Sequence, residues 1–131
     1  MKEVNLYSRY IEFVLRWLNA SDVTVNVHAF HLPEGILGRY YDSRDGRQAH
    51  IDLNVPTARE ALLTLAHEAG HWLGNEVSGY KKHSYQRERQ AVVYGWRVLG
   101  LVGAQRLFTR DEWMNFHKED VPDGRPRDEA E

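Results

Sequence analysis

Apolar side chains recur at helical spacing through the first twenty residues. Val4, Tyr7, Ile11, Val14, Leu15 and Leu18 share one face, with Glu3, Arg9, Glu12 and Arg16 between them. This pattern predicts an amphipathic helix with one buried side. The charges interrupt it too often for a targeting or membrane-spanning segment. The period then drops to two: Val23, Val25, Val27 and Ala29 alternate with Thr24, Asn26 and His28, as in a half-buried strand. Pro33-Glu34-Gly35 marks a turn, Ile36 to Asp42 a second strand, and Ser43 to Gly46 another turn. A third strand is expected from about Ala49 to Asn54, with Ala49, Ile51 and Leu53 on one face. Two short connections in succession predict an antiparallel meander.

Downstream the pattern is helical. Thr57 and Glu60 have the spacing of a capping box, and the helix they open is expected to run to Leu73 with Gly74 as its C-cap. Leu62, Leu65, Ala66, Ala69 and Leu73 gather on one side; His67 and His71 lie opposite, with Glu60 and Thr64. Residues 75–83 form a polar loop, and another helix is expected from Ser84 to about Leu101, closed by Gly100 and Gly103. A second capping-box pair, Thr109 and Glu112, precedes a short helix carrying Trp113 and Phe116. From Pro122 the chain has little to bury, and residues 122–131 are expected to be a disordered tail. The expected fold is a single α+β domain over residues 1–121. It has an N-terminal helix, a small, largely antiparallel three-stranded sheet and two long helices after it.

Composition narrows the chemistry. At 131 residues, 42% apolar and 27% charged, the chain has the makeup of an ordinary globular domain. A net charge of −2 with mixed signs argues against phosphate neutralisation, so nucleic acid is not an expected partner. With no cysteine, any metal must be held by histidine and carboxylate. That composition also suits a reducing, cytoplasmic setting.

The sharpest signal is His67-Glu68-Ala69-Gly70-His71. Residues four apart stand above one another on a helix, so His67 and His71 can present both imidazoles to one ion. Glu68, beside them, is placed to accept a proton from water activated there, the arrangement of a zinc hydrolase. A catalytic zinc usually takes three protein ligands and keeps a fourth position open. Gly74 begins the longer pattern that ends in a third histidine, but that position holds Val77. Glu88 is the favoured third ligand, because Ala91 and Gly95 on its side of the next helix would let two helices approach closely. His83, in the preceding loop, is its rival.

Hydrolysis of an acyl group also needs a donor for the developing oxyanion. Tyr80, His83, Tyr85 and Tyr94 are candidates among which sequence does not choose. Arg59 and Arg87 are either substrate contacts or solvated charges, and Trp72 and Trp96 read as packing residues. His28, His31, His50 and His117 are expected to be solvated or locally hydrogen-bonded.

Over residues 48–100 the chain resembles the ImmA/IrrE type of metallopeptidase. The run Leu62-Leu63-Thr64-Leu65-Ala66-His67-Glu68-Ala69-Gly70-His71, preceded by Arg59, is similar to that family's "R…FTLAHELGH". Glu88-Arg89-Gln90-Ala91-Val92-Val93-Tyr94-Gly95 matches its second metal-bearing helix in form. Leu63 and Ala69 stand where the family has Phe and Leu, and Tyr94-Gly95 where it has Phe-Ala. The resemblance implies a gluzincin-like fold, one zinc per chain on His67, His71 and Glu88, and Glu68 as acid/base. It further implies peptide-bond hydrolysis and substrates among phage or stress repressors. The edge of the third strand is the expected seat for an extended substrate. The competing expectation is an inactive, zincin-like module that binds zinc and a protein partner without cleaving it.

Overall fold

The computed structural model describes residues 2–27, 32, 36–43, 48–55 and 57–118. His28 and His31, expected to be solvated or locally hydrogen-bonded, the turn at Pro33–Gly35, most of the turn at Ser43–Gly46 and the expected tail over residues 122–131 lie outside them. Within the described residues, four α-helices, one 3-10 turn and a three-stranded mixed sheet make an α+β fold. None of these helices is long and apolar enough to cross a membrane.

Helix α1 (Lys2–Ala20) buries Val14 and Leu18 of the stripe its periodicity predicts and packs Tyr7, Ile11 and Leu15 partly buried against the core. The helix also buries Tyr10, which lies outside that stripe. It ends where the amide of Val23 turns back to Leu18 O, with Asp22 in the left-handed region at φ 62°. Strands β1 (Thr24–Asn26), β2 (Gly38–Tyr41) and β3 (His50–Leu53) follow.

The sheet departs from the expected meander. Its order is β1-β3-β2, with β3 antiparallel to β2 and parallel to β1. The stretch between β1 and β2, residues 27–37, is too long to force a hairpin. Burial explains why β3 takes the centre: Ile51, Asp52 and Leu53 are all buried, so both faces of this strand are covered. A strand buried on both faces belongs in the middle of a sheet, where both of its edges are also paired. Pairing β1 with its far edge completes that position. The sheet edge expected at the third strand therefore lies at β2.

Helix α2 (Ala58–Ser78) starts at Thr57, whose hydroxyl accepts the Glu60 amide and donates to the Glu60 carboxylate at 2.9 Å. It runs through Gly74 and ends at Gly79, with φ 84°. Gly74 is thus not the C-cap; its missing side chain makes room for a neighbour. A Cβ there would lie 2.6 Å from Gln90 Cγ on α3 (Ser84–Leu101). The same close approach recurs along the crossing. A Cβ on Gly70 would lie 2.3 Å from Ala91 O, and one on Gly95 2.9 Å from Ala66 O. Small residues let these two helices meet nearly backbone to backbone.

Past α3 the chain turns at Gly103 and passes through the 3-10 turn Gln105–Leu107 into α4 (Arg110–Phe116). Thr109 and Glu112 form the full capping box. Trp113 is completely buried, and its indole N–H donates to Val92 O at 3.0 Å, which fastens α4 to α3. α2 itself is buried on every side from Leu62 to His71. Polar side chains in that stretch are enclosed by the fold, so each must be held by a partner or serve a ligand.

Candidate metal centre

The three favoured ligands converge. His67 and His71, on successive turns of α2, are buried, while Glu88, in the second turn of α3, is partly open. His67 Nε2 lies 3.0 Å from Glu88 Oε1, and His71 Nε2 lies 3.2 Å from Oε2. The donor atoms of the three residues all fall within 4.8 Å of one another. Burial alone would push the Glu88 carboxyl up. The hydrogen bonds and charges of His67 and His71 outweigh burial and hold it well below the carboxylate range.

These donors fit a metal ion. Donors at about 2.0–2.1 Å from a tetrahedral centre sit about 3.3 Å from one another, close to the two imidazole–carboxylate spacings here. Two imidazoles and one carboxylate, with no thiolate, suit a borderline divalent ion. The group His67, His71 and Glu88 can therefore hold a metal ion. His83 is not in it: this residue is exposed at the N-cap of α3.

Both imidazoles are backed by aromatic rings. The His71 ring stacks against Tyr40 of β2, with centroids 5.9 Å apart and planes at 12°. His67 stacks on His117 at 4.6 Å and 24°. His117 in turn is wedged edge-on between Trp113 at 4.2 Å and Phe116 at 4.9 Å. His117, expected to be solvated or locally hydrogen-bonded, is thus not solvated but buried against a metal-ligand candidate. A signal for it was present in the sequence. It lies four residues after Trp113, so the two share a helical face.

Tyr40 is tied to its own neighbourhood. Burial first, and the adjacent Asp42 charge second, push its phenol well above the usual tyrosine range. Asp42 accepts a hydrogen bond from Asn75 Nδ2 at 2.8 Å and lies 3.6 Å from Arg87 Nη2.

Glu68 sits between two clefts that share Ile36, Gly38, Glu68 and Glu88. The larger, about 480 Å³, extends past His67 and His117 to Leu37 and Phe116. The smaller, about 270 Å³, extends past His71 to Arg39, Tyr40 and Arg87. Strand β2 passes directly over Glu68, since a Cβ on Gly38 would lie 3.2 Å from Glu68 Cγ and 2.8 Å from Thr64 Cγ2.

The tyrosine candidates lie elsewhere. Tyr80 and Tyr85 are exposed, under the guanidinium groups of Arg87 and Arg89. Tyr94 is buried, with its hydroxyl on that of Ser78. Neither these three nor His83 lines either cleft. Of the two arginines, Arg87 reaches the smaller cleft, whereas Arg59 pairs with Glu112 at 3.2 Å and covers Phe108. Trp72 packs edge-on against Trp17, Trp96 lies beside Trp113, and His50 stacks on Tyr41. No family model, curated protein or solved structure matches the chain.

Proposed function

We propose that this chain is a zinc-dependent metallopeptidase. The observation that carries the proposal is the placement of Glu68, 8% exposed, in a groove beside three converging ligand candidates. A buried carboxylate next to two imidazoles on one helical turn has a chemical use that a purely structural metal site would not require.

On this reading His67, His71 and Glu88 hold the ion. When bound, zinc supplies Lewis acidity that brings the pKa of water toward neutrality. Glu68 carries the proton: its carboxylate accepts it from the attacking water and delivers it to the nitrogen of the departing amine. Tyr40 and His117 keep the imidazole planes in place from behind. The outer edge of β2 has no strand partner among the described residues, and its main chain borders both clefts. That edge supports an extended peptide by main-chain hydrogen bonds, with alternate side chains entering the groove. The resemblance to ImmA/IrrE metallopeptidases extends the proposal to repressor proteins as substrates.

The test is Glu68→Gln. The variant should bind zinc at the stoichiometry of the parent and lose cleavage of a peptide library by about a hundredfold or more. Undiminished cleavage by Glu68→Gln overturns the mechanism. Stoichiometric zinc in a parent protein that cleaves no peptide supports a binding module instead.

A further inference from the structure

The two clefts beside Glu68 differ in chemistry. The larger has the apolar Leu37 and Phe116 in its wall, with Lys118 also lining it. The smaller is flanked by two guanidinium groups, Arg39 from β2 and Arg87 from α3. We propose that the smaller cleft is a carboxylate subsite, in which Arg39 and Arg87 receive an acidic group of the substrate next to the cleaved bond. This inference rests on the peptidase reading above and names the substrate class it selects.

Arg87 is held in place. Its Nη2 lies 3.6 Å from Asp42 Oδ2, and its guanidinium carbon lies 4.8 Å from the centre of the Tyr80 ring. Asp42 is shared with Asn75, and its contact with Arg87 is longer than a hydrogen bond. The Nε of Arg87 is buried, so a ligand would meet the terminal nitrogens of this side chain, which is 27% exposed. Arg87 is therefore oriented while its donors remain incompletely used, the condition under which an incoming carboxylate gains most. Arg39, one residue after Gly38, extends from the strand that passes over Glu68. Its exposure leaves it free to close on a ligand.

Besides Asp42, two carboxylates line this cleft, Glu68 and Glu88. Both oxygens of Glu88 face the imidazoles of His67 and His71, and Glu68 lies at the junction of the clefts. A cleft of about 270 Å³ accommodates an aspartate or glutamate side chain, or the terminal carboxylate of a chain. Both sources present the same group to the arginines.

The experiment is cleavage-site mapping with the zinc-loaded full chain on a proteome-derived peptide library, in one arm with free C-termini and in the other amidated. Acidic residues should be enriched at one position within two residues of the cut. Enrichment in both arms assigns the side chain; cleavage near the terminus that amidation abolishes assigns the chain end. Arg39→Gln and Arg87→Gln should each raise KM for an acidic peptide about tenfold, the scale of one charge-assisted hydrogen bond. KM for the neutral analogue should rise less, so that the preference for the acidic peptide falls about tenfold. Cleavage without acidic preference, or a preference that survives in the double variant, overturns the subsite and leaves the peptidase reading standing. A parent protein that cleaves nothing removes both.

Discussion

The imidazole of His117 lies against that of His67, with ring centroids 4.6 Å apart and planes inclined by 24°. The contact joins the end of α4 to the first histidine of the candidate metal site, although the two residues are fifty positions apart. Groups that orient a metal-ligand imidazole typically contribute tenfold to a hundredfold to metal affinity. His117→Ala should weaken zinc binding by about that factor, measured by competition with a chromophoric chelator. His117→Phe preserves the stacked ring and should recover most of the loss. Equal affinity in the alanine variant would show that the contact orients nothing.

Gly70 lies between the two ligand histidines and faces α3 at its closest approach. A methyl group at this position would sit 2.3 Å from Ala91 O and 2.5 Å from Gly95 N, both backbone atoms. Neither can rotate away, so the helices must part. Gly70→Ala should lower the unfolding free energy by about 1–3 kcal/mol, the usual cost of overpacking. The same displacement should move Glu88 away from the histidines and reduce zinc affinity. A urea midpoint and metal titration equal to the parent's would contradict this.

A metal held by His67, His71 and Glu88 joins α2 to α3, so it binds the folded chain in preference to the unfolded one. Zinc should raise Tm, and a chelator should lower it again, which a thermal scan at fixed pH measures directly. Loss in acid should follow the histidines, since binding requires neutral imidazoles whose ordinary pKa is about 6.5. Glu88 is held below the ordinary carboxylate range and stays ionised as the imidazoles protonate. Metal release should therefore begin near pH 6, and a midpoint below pH 4 would point to other ligands.

A separate acid response belongs to the α4 cap. Glu112 is held below the ordinary carboxylate value of 4.5, first by the Thr109 backbone N–H and then by the Thr109 hydroxyl and Arg59. A carboxylate with a depressed folded-state pKa stabilises fully above its unfolded value, and that contribution fades as pH falls through the folded one. Glu112→Gln should thus be less stable than the parent at pH 7, with the difference shrinking below about pH 4.5. Chemical unfolding across that interval reads it, and a pH-independent difference would show that the charge plays no part.

Features set by neighbours in sequence were legible before the fold was known. Thr57 and Thr109 marked two helix starts, Ser84 and Leu101 bounded α3, and the small residues Ala91 and Gly95 pointed to Glu88. Features set by distant partners were not. The place of β1 beside β3 depends on which strand is buried on both faces, a property of the assembled sheet. Gly74 has the local look of a helix end, yet Gln90 sixteen residues later explains it. Tyr80, Tyr85 and Tyr94 are near the ligands in sequence but are turned from the clefts, while Tyr40 and His117 arrive from other elements.

Gly38 gives the arrangement one more property. The strand that roofs Glu68 belongs to the sheet, whereas Glu68 and the three ligand candidates belong to the helices. The sheet and the helical pair meet at Gly38 over Thr64 and Glu68, at Tyr40 against His71 and, just after β2, at Asp42 beside Arg87. On the proposed peptidase reading, exposed positions of β2 such as Arg39 can vary and redirect the groove while the helical pair keeps Glu68 and the ligand candidates. At Gly38 itself that freedom ends, because a side chain there would press on Thr64 and Glu68 and lift β2 from α2.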